Sequence, residues 1–299
     1  MNTITRRRLL ATAGALGAAA LSGCARPGGQ QATPSSRPSG LTLVAPGAQP
    51  SMSVLLGQSE ILVGKAQRVA FGLVTKDNTP INNADLTVRF VAENGQVSAP
   101  VKPSFHEGIS GRGTYIARVD VPAPGFGWIV TTAPGQRTGG EAAVPALTPE
   151  KTKVVPPGGQ AISTRTATVA DPLGVAKLCT RTPQACGMHE VSLDQALAAH
   201  RSVVLTFATP AFCSSATCGP IVDHVESARA SRDWGSIDWI HVEIYRDEEA
   251  RQVVQAVDDW RLPSEPWLFT INPGGTVIDR FEGPLVPEEL PPLIERLPG

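Results

Sequence analysis

Between residues 41 and 147 the chain alternates apolar and polar positions with a period of two. Val69, Phe71 and Leu73 alternate with Arg68, Ala70 and Gly72. Leu86, Val88 and Phe90 alternate with Thr87 and Arg89, and Tyr115, Ala117, Val119 and Val121 with Ile116, Arg118 and Asp120. Trp128 and Val130 continue the pattern. A period of two marks strands with one buried face. Turn-forming clusters separate the runs: Lys76-Asp77-Asn78-Thr79-Pro80, Glu93-Asn94-Gly95, Gly111-Arg112-Gly113 and Pro122-Ala123-Pro124-Gly125. About seven short strands punctuated in this way predict an all-β, immunoglobulin-like sandwich. It contains no cysteine, one histidine (His106) and one methionine (Met52). No catalytic constellation is visible in it, so a spacer or docking role is expected.

The segment 148–164, with Pro149, Pro156, Pro157, Gly158 and Gly159, reads as a linker. Beyond it the pattern changes. Ser192 is placed to cap a short helix through Leu197. Val203–Phe207 is a buried type of strand, and Pro220–Ala230 is helical with Ile221, Val222 and Val225 on one face. Trp239–Ile244 is expected as a strand, Glu248–Trp260 as a helix, Trp267–Ile271 and Thr276–Phe281 as strands, and Pro287–Leu297 as a closing helix. Asn272-Pro273-Gly274-Gly275 supplies the turn between the last two strands. The expected order is α-β-α-β-α-β-β-α, an α/β domain over 165–299.

The N-terminus changes the setting of both halves. Thr5-Arg6-Arg7-Arg8-Leu9-Leu10 looks like a twin-arginine motif, and Ala11–Ala20 is a small apolar core. That core is shorter than the about 20 residues a spanning helix needs. It ends in Leu21-Ser22-Gly23-Cys24, which resembles the lipobox of bacterial lipoproteins. The resemblance implies a signal peptide over 1–23, a diacylglyceryl thioether on Cys24, and a location outside the cytoplasm, anchored to the cell membrane. Residues 24–40, rich in Gly, Pro, Ser and Gln, read as a flexible tether. The net charge of −1 gives no reason to expect nucleic acid.

Four cysteines remain besides Cys24: Cys179, Cys186, Cys213 and Cys218. An exported chain favours disulfides, and four cysteines allow three pairings. Proximity favours Cys179–Cys186, a structural disulfide closing a proline-containing loop, and Cys213–Cys218. An electron relay between the two pairs is the rival role for Cys179 and Cys186. The second pair lies in Thr209-Pro210-Ala211-Phe212-Cys213-Ser214-Ser215-Ala216-Thr217-Cys218-Gly219-Pro220, between an apolar strand and a helix. A helix N-terminus stabilises a thiolate, the reactive form of cysteine. The spacing is C-x4-C. On one helix these residues would lie about 7.5 Å apart along the axis and about 140° around it, too far for a disulfide. Pairing therefore requires 214–217 to be a loop, with Pro220 in the first helical turn.

Three motifs give the region 165–299 a resemblance to the thioredoxin fold. They are Phe207-Ala208-Thr209-Pro210-Ala211-Phe212-Cys213, Glu265-Pro266-Trp267-Leu268-Phe269, and Gly274-Gly275-Thr276-Val277 leading to Arg280-Phe281-Glu282-Gly283. The resemblance implies thiol–disulfide oxidoreductase activity, with Cys213 and Cys218 as the catalytic pair. Pro266 would be a cis-proline shaping the client groove, and Glu265 a carboxylate near the sulfurs that disfavours the thiolate. The chain departs from the family in its spacing and in Thr206, which stands where a buried acid is usual. Cys213 follows the matching strand, whereas Cys218-Gly219-Pro220 copies the family's C-G-P, so either could be the nucleophile; Cys213 is favoured as the more accessible sulfur. The alternative is a non-catalytic thioredoxin-fold binding module with two structural disulfides. Met188 and His189, just after Cys186, offer soft-metal donors and a third reading, copper handling. The C-x3-C motif of Sco-type copper chaperones is not matched, so no metal or other cofactor is expected. His200, His224 and His241 read as ordinary polar contacts, and Trp234, Trp239, Trp260 and Trp267 as packing, with Trp267, beside Pro266, the one placed to line the site. The expected partners are thiols or disulfides of exported proteins, and the membrane through the lipid.

Overall fold

The alternating stretch folds into two four-stranded sheets that share one core. The computed structural model describes residues 52–298, apart from 109–110, 134–138, 214, 248 and 250–251. The leader 1–23, Cys24, the tether 24–40 and residues 41–51 lie outside the described residues. The strands are β1 (Ser53–Leu56), β2 (Ile61–Leu62), β3 (Gly64–Val74), β4 (Thr87–Ala92), β5 (Ser104–His106), β6 (Thr114–Val121), β7 (Gly125–Thr132) and β8 (Gly139–Leu147). They pair in the orders β1-β3-β6-β5 and β2-β8-β7-β4. The inward positions Val69, Phe71 and Leu73, Val88 and Phe90, and Tyr115, Ala117 and Val119 meet between the sheets. Burying the valine, leucine and phenylalanine side chains among them stabilises by about 1.5–3 kcal/mol each.

A third sheet follows, from β9 (Ser202–Ala208), β10 (Ile237–Glu243), β11 (Trp267–Ile271) and β12 (Val277–Glu282), in the order β10-β9-β11-β12. β9 pairs parallel with β10 and antiparallel with β11, and β11 pairs antiparallel with β12. Every residue of β9 is buried, because both faces are covered. Val203, Leu205 and Phe207 face one cluster with Phe269 and Trp260. Val204 and Ala208 face another with Cys218, Ile221, Val225 and Leu293.

The fold class expected from the sequence, an immunoglobulin-like sandwich followed by an α/β thioredoxin-like domain, is corrected by these elements. The structure is mostly β, 35% strand against 15% helix, with three small sheets. Only four short helices occur among the described residues: α1 (Leu193–Ala198), α2 (Cys218–Ser231), α3 (Gln255–Trp260) and α4 (Leu290–Ile294). The reasons are local. Val253 forms an antiparallel bridge with Tyr245, and Arg246 N–H donates to Gln252, so the helix expected from Glu248 begins only at Gln255. The closing helix is a 3-10 turn at Pro287–Glu289 followed by the five residues of α4, because Pro291 and Pro292 bring no N–H to its ladder. α2 alone exceeds six residues.

The sheets belong to one unit. Arg68 of β3 makes a bidentate pair with Glu289, at 2.6 and 2.7 Å, and donates to Pro284 O. Arg280 of β12 pairs with Glu60 at 2.5 Å and donates to Val154 O. Both ion pairs are nearly buried. Gly283, at φ +77°, passes so close to Gly57 that an added Cβ would sit 1.7 Å from its carbonyl oxygen. The segment 148–164 packs alongside: Val154 enters the core, and residues 158–161 hydrogen-bond to Gly275 and Val277.

Candidate functional site

The C-x4-C segment leaves β9 at Ala208, turns through Thr209–Phe212 and enters α2 at Cys218. Cys213 thus lies in the loop and Cys218 at the first position of the helix, with Thr217 as N-cap. The two cysteines approach to 2.7 Å as free thiols. Cys218 is fully buried and Cys213 is half-buried. Ala216, in the same loop, has φ 58°, a left-handed conformation that costs a non-glycine residue energy.

Their surroundings separate the two thiols. The contact with Cys218 is the largest influence on Cys213, and against the opposing effect of burial it lowers the Cys213 pKa to about 4. The Ser215 hydroxyl, 3.2 Å away, and the backbone N–H groups of Cys218 and Thr217 add to the effect. These are the free N–H groups of a helix start, which favour negative charge. Cys218 moves the opposite way, pushed well above the usual thiol range by its contact with Cys213 and by burial. An attacking thiolate and a protonated, shielded partner result.

Glu265 and Pro266 precede β11. Pro266 is buried, its bond to Glu265 is cis, and its carbonyl accepts from Gly283 N–H. Burial pushes the Glu265 carboxyl up, and the charge of Cys213 adds to this. Tyr245 is raised by burial and then by Glu265, Cys218 and Cys213. Its ring meets Phe212 edge-on at 6.0 Å. Thr206 is fully buried, and its hydroxyl has no hydrogen-bond partner among the described residues. Trp267 stacks on Phe269 in the opposite core rather than facing the sulfurs. A cleft of about 300 Å³ adjoins the loop, lined by Lys177, Thr180, Phe212, Glu243, Tyr245 and Arg246 among others.

Cys179 and Cys186 come together in a second place. Their sulfurs lie 3.7 Å apart, both buried and unbonded. His189 Nε2 and His241 Nδ1 each lie 3.3 Å from Cys186 Sγ. Burial works to lower the His241 pKa, but Cys179, Glu243 and the Ala208 carbonyl together outweigh it and the net shift is upward. His200 and His224 instead contact backbone carbonyls, of Pro273 and Leu285.

No family model matches the chain, and no curated protein matches it. Among solved structures, the chain is similar to the ZirS C-terminal domain, at 13% identity and a TM-score of 0.21. That likeness covers 32% of this chain and 65% of that one. The S-layer protein SbsC domains 4 and 5 give 16% identity and a TM-score of 0.20, over 34% of this chain and 47% of that one. The chain therefore spans less than two thirds of each.

Sequence reasoning missed His241, Thr180 and Glu243. His241 and Glu243 sit on β10, which is otherwise largely apolar and buried. Buried polar groups require partners, and a histidine and a glutamate two apart in such a strand were the available signal. Glu243 accepts from both the N–H and the hydroxyl of Thr180, at 2.9 and 3.0 Å. Thr180 in turn accepts from Ala211 N–H at 3.0 Å, two residues before Cys213. No helix among the described residues is long and apolar enough to cross a membrane.

Proposed function

We propose that the protein is an extracytoplasmic thiol–disulfide oxidoreductase that works through Cys213 and Cys218 and is held at the membrane by a lipid on Cys24. The observation that carries the proposal is the asymmetry of the pair. The half-buried sulfur receives hydrogen bonds from a helix start, and its fully buried neighbour keeps its proton. Exchange chemistry needs that division between an attacking and a resolving sulfur.

The Cys213 thiolate attacks one sulfur of a client disulfide. The client's S–S bond breaks, a Cys213–client mixed disulfide forms, and the other client sulfur leaves as a thiolate. Cys218 then loses its proton to solvent or to the leaving thiolate and attacks Cys213. The mixed disulfide breaks, and the client leaves with two thiols while Cys213–Cys218 becomes a disulfide. Two electrons pass from the pair to the client, and the reverse sequence oxidises a dithiol client.

Phe212, Tyr245 and the adjoining cleft offer an apolar and aromatic contact for the client chain beside Cys213. The membrane setting rests on Leu21-Ser22-Gly23-Cys24. The test is trapping. A Cys218→Ser chain should accumulate mixed disulfides through Cys213 with a disulfide-containing peptide, and Cys213→Ser should not. Equal trapping by both variants, or by neither, would remove the assignment.

A further inference from the structure

We propose that Cys179, Cys186, His189 and His241 form a buried zinc site, separate from the exchange pair. The four donor atoms lie within 4.8 Å of one another and all four residues are buried. Zinc bond lengths of about 2.3 Å to sulfur and about 2.0–2.1 Å to nitrogen put the edges of a tetrahedron at roughly 3.8 Å for S···S and roughly 3.6 Å for S···N. The observed separations are 3.7 Å between the sulfurs and 3.3 Å from Cys186 Sγ to each histidine nitrogen. A disulfide would need the sulfurs at about 2.05 Å, and it would leave two buried imidazoles facing a poor acceptor.

The surroundings fit a metal. His241 Nε2 donates to the carbonyl of Ala208 at 3.1 Å, so that when a metal displaces the second proton the Nδ1 lone pair is the one that faces the cluster. A ligand histidine is typically held by such a bond to its second nitrogen. His189 Nε2 faces the cluster at 3.3 Å from Cys186 Sγ, while its Nδ1 lacks such a partner among the described residues. Cys186 N–H donates to Cys179 Sγ at 3.5 Å. His241 N–H also holds Met188 O at 2.9 Å, which ties the segment carrying Cys186 and His189 to the edge strand β10.

Charge selects the cation. Two thiolates with two neutral imidazoles carry −2, which a divalent ion cancels in a place where unbalanced charge is costly. The neighbouring Arg181 and Arg229 are already paired with Asp223 and Glu226. A monovalent copper ion would leave one negative charge uncompensated beside buried Glu243. Two sulfur and two nitrogen donors in a tetrahedron suit zinc, and four protein ligands with no open position make the site structural. Zinc here would pin the irregular segment around residues 175–190 against β10. It would thereby hold Thr180, the acceptor for Ala211, under the exchange loop. It would also keep Cys179 and Cys186 out of exchange.

The test is to purify the full chain under reducing conditions with zinc supplied and to measure metal per chain by elemental analysis. One zinc per chain is expected. It should be retained in a Cys213→Ser/Cys218→Ser variant and lost in Cys186→Ser and in His241→Gln. Because those last variants could fail to fold, cobalt replacement of the native chain gives a second readout: thiolate-to-cobalt charge transfer together with tetrahedral d–d absorption. Zinc far below one per chain, with no cobalt spectrum in the reduced protein, would overturn the proposal. A Cys179–Cys186 disulfide that, once reduced, takes up neither metal would overturn it equally.

Discussion

Cys213 and Cys218 differ in what each sulfur touches, and their chemistry follows from that. With Cys213 held near about 4, the alkylation rate of the reduced protein by iodoacetamide should stay nearly level from neutral pH down to about 5 and fall through about 4. Cys213→Ser should abolish this fast reaction. An inflection near the ordinary thiol value would mean the helix start does not reach the sulfur. The linkage has a definite sign. A pKa of 9.0 unfolded and about 4 folded stabilises the reduced fold most above pH 9, and that stability is lost as pH falls through about 4. Raised Cys218 works in the opposite sense as pH rises above 9. Glu265 acts on both sulfurs through its charge. Because Cys213 raises Glu265, Glu265 must raise Cys213 in return. Glu265→Gln should therefore lower the thiol pKa values and speed release of a trapped client several-fold at neutral pH. Superimposable rate profiles for the two proteins would place the carboxylate out of range.

The strands were legible in the sequence and the helices less so. Alternation at Val69, Phe71 and Leu73 revealed β3 because one face of that strand is buried. Trp267–Ile271 fell on β11 with the same limits. The helical pattern over Glu248–Trp260 misled because apolar Val253 and Val254 serve a bridge and the core, not a helical face. Read as a full helical layer, such segments made the C-terminal half an α/β domain, whereas only four short helices form among the described residues. Spacing pointed to which cysteines lie together, Cys179 near Cys186 and Cys213 near Cys218, but not to their state, since all four are free thiols rather than the two expected disulfides. His241 was not legible, since its place beside Cys186 depends on β10 lying against residues 186–189, a contact across 55 residues. Thr180 is the link between these segments, donating to Glu243 and accepting from Ala211. Thr180→Val keeps the shape and removes both bonds. It should cost about 1–3 kcal/mol in urea unfolding and make Cys213 alkylation less uniform. No change in stability would mean the segment is held by other contacts.

Across the molecule, nearly buried ion pairs join the first two sheets to the third. Glu289→Ala leaves Arg68 without its partner and should destabilise by about 3–5 kcal/mol. Replacing both residues with apolar ones should cost much less. Because the sheets form one unit, unfolding should be a single transition by both fluorescence and circular dichroism. Two separated transitions would mean that Arg68–Glu289 and Arg280–Glu60 do not couple the sheets. Cys24→Ser should move the protein out of the membrane fraction, and retention there would remove the lipid anchor. The exchange chemistry itself is tested most directly by the reduction potential of Cys213–Cys218. The full chain would be equilibrated in glutathione buffers of graded potential, and each cysteine scored by alkylation and peptide mapping. A potential above about −300 mV, with both residues reduced while the fold persists, is expected of an exchange-competent pair. A potential below about −300 mV, or reduction only on unfolding, would make Cys213–Cys218 a structural disulfide and contradict the oxidoreductase.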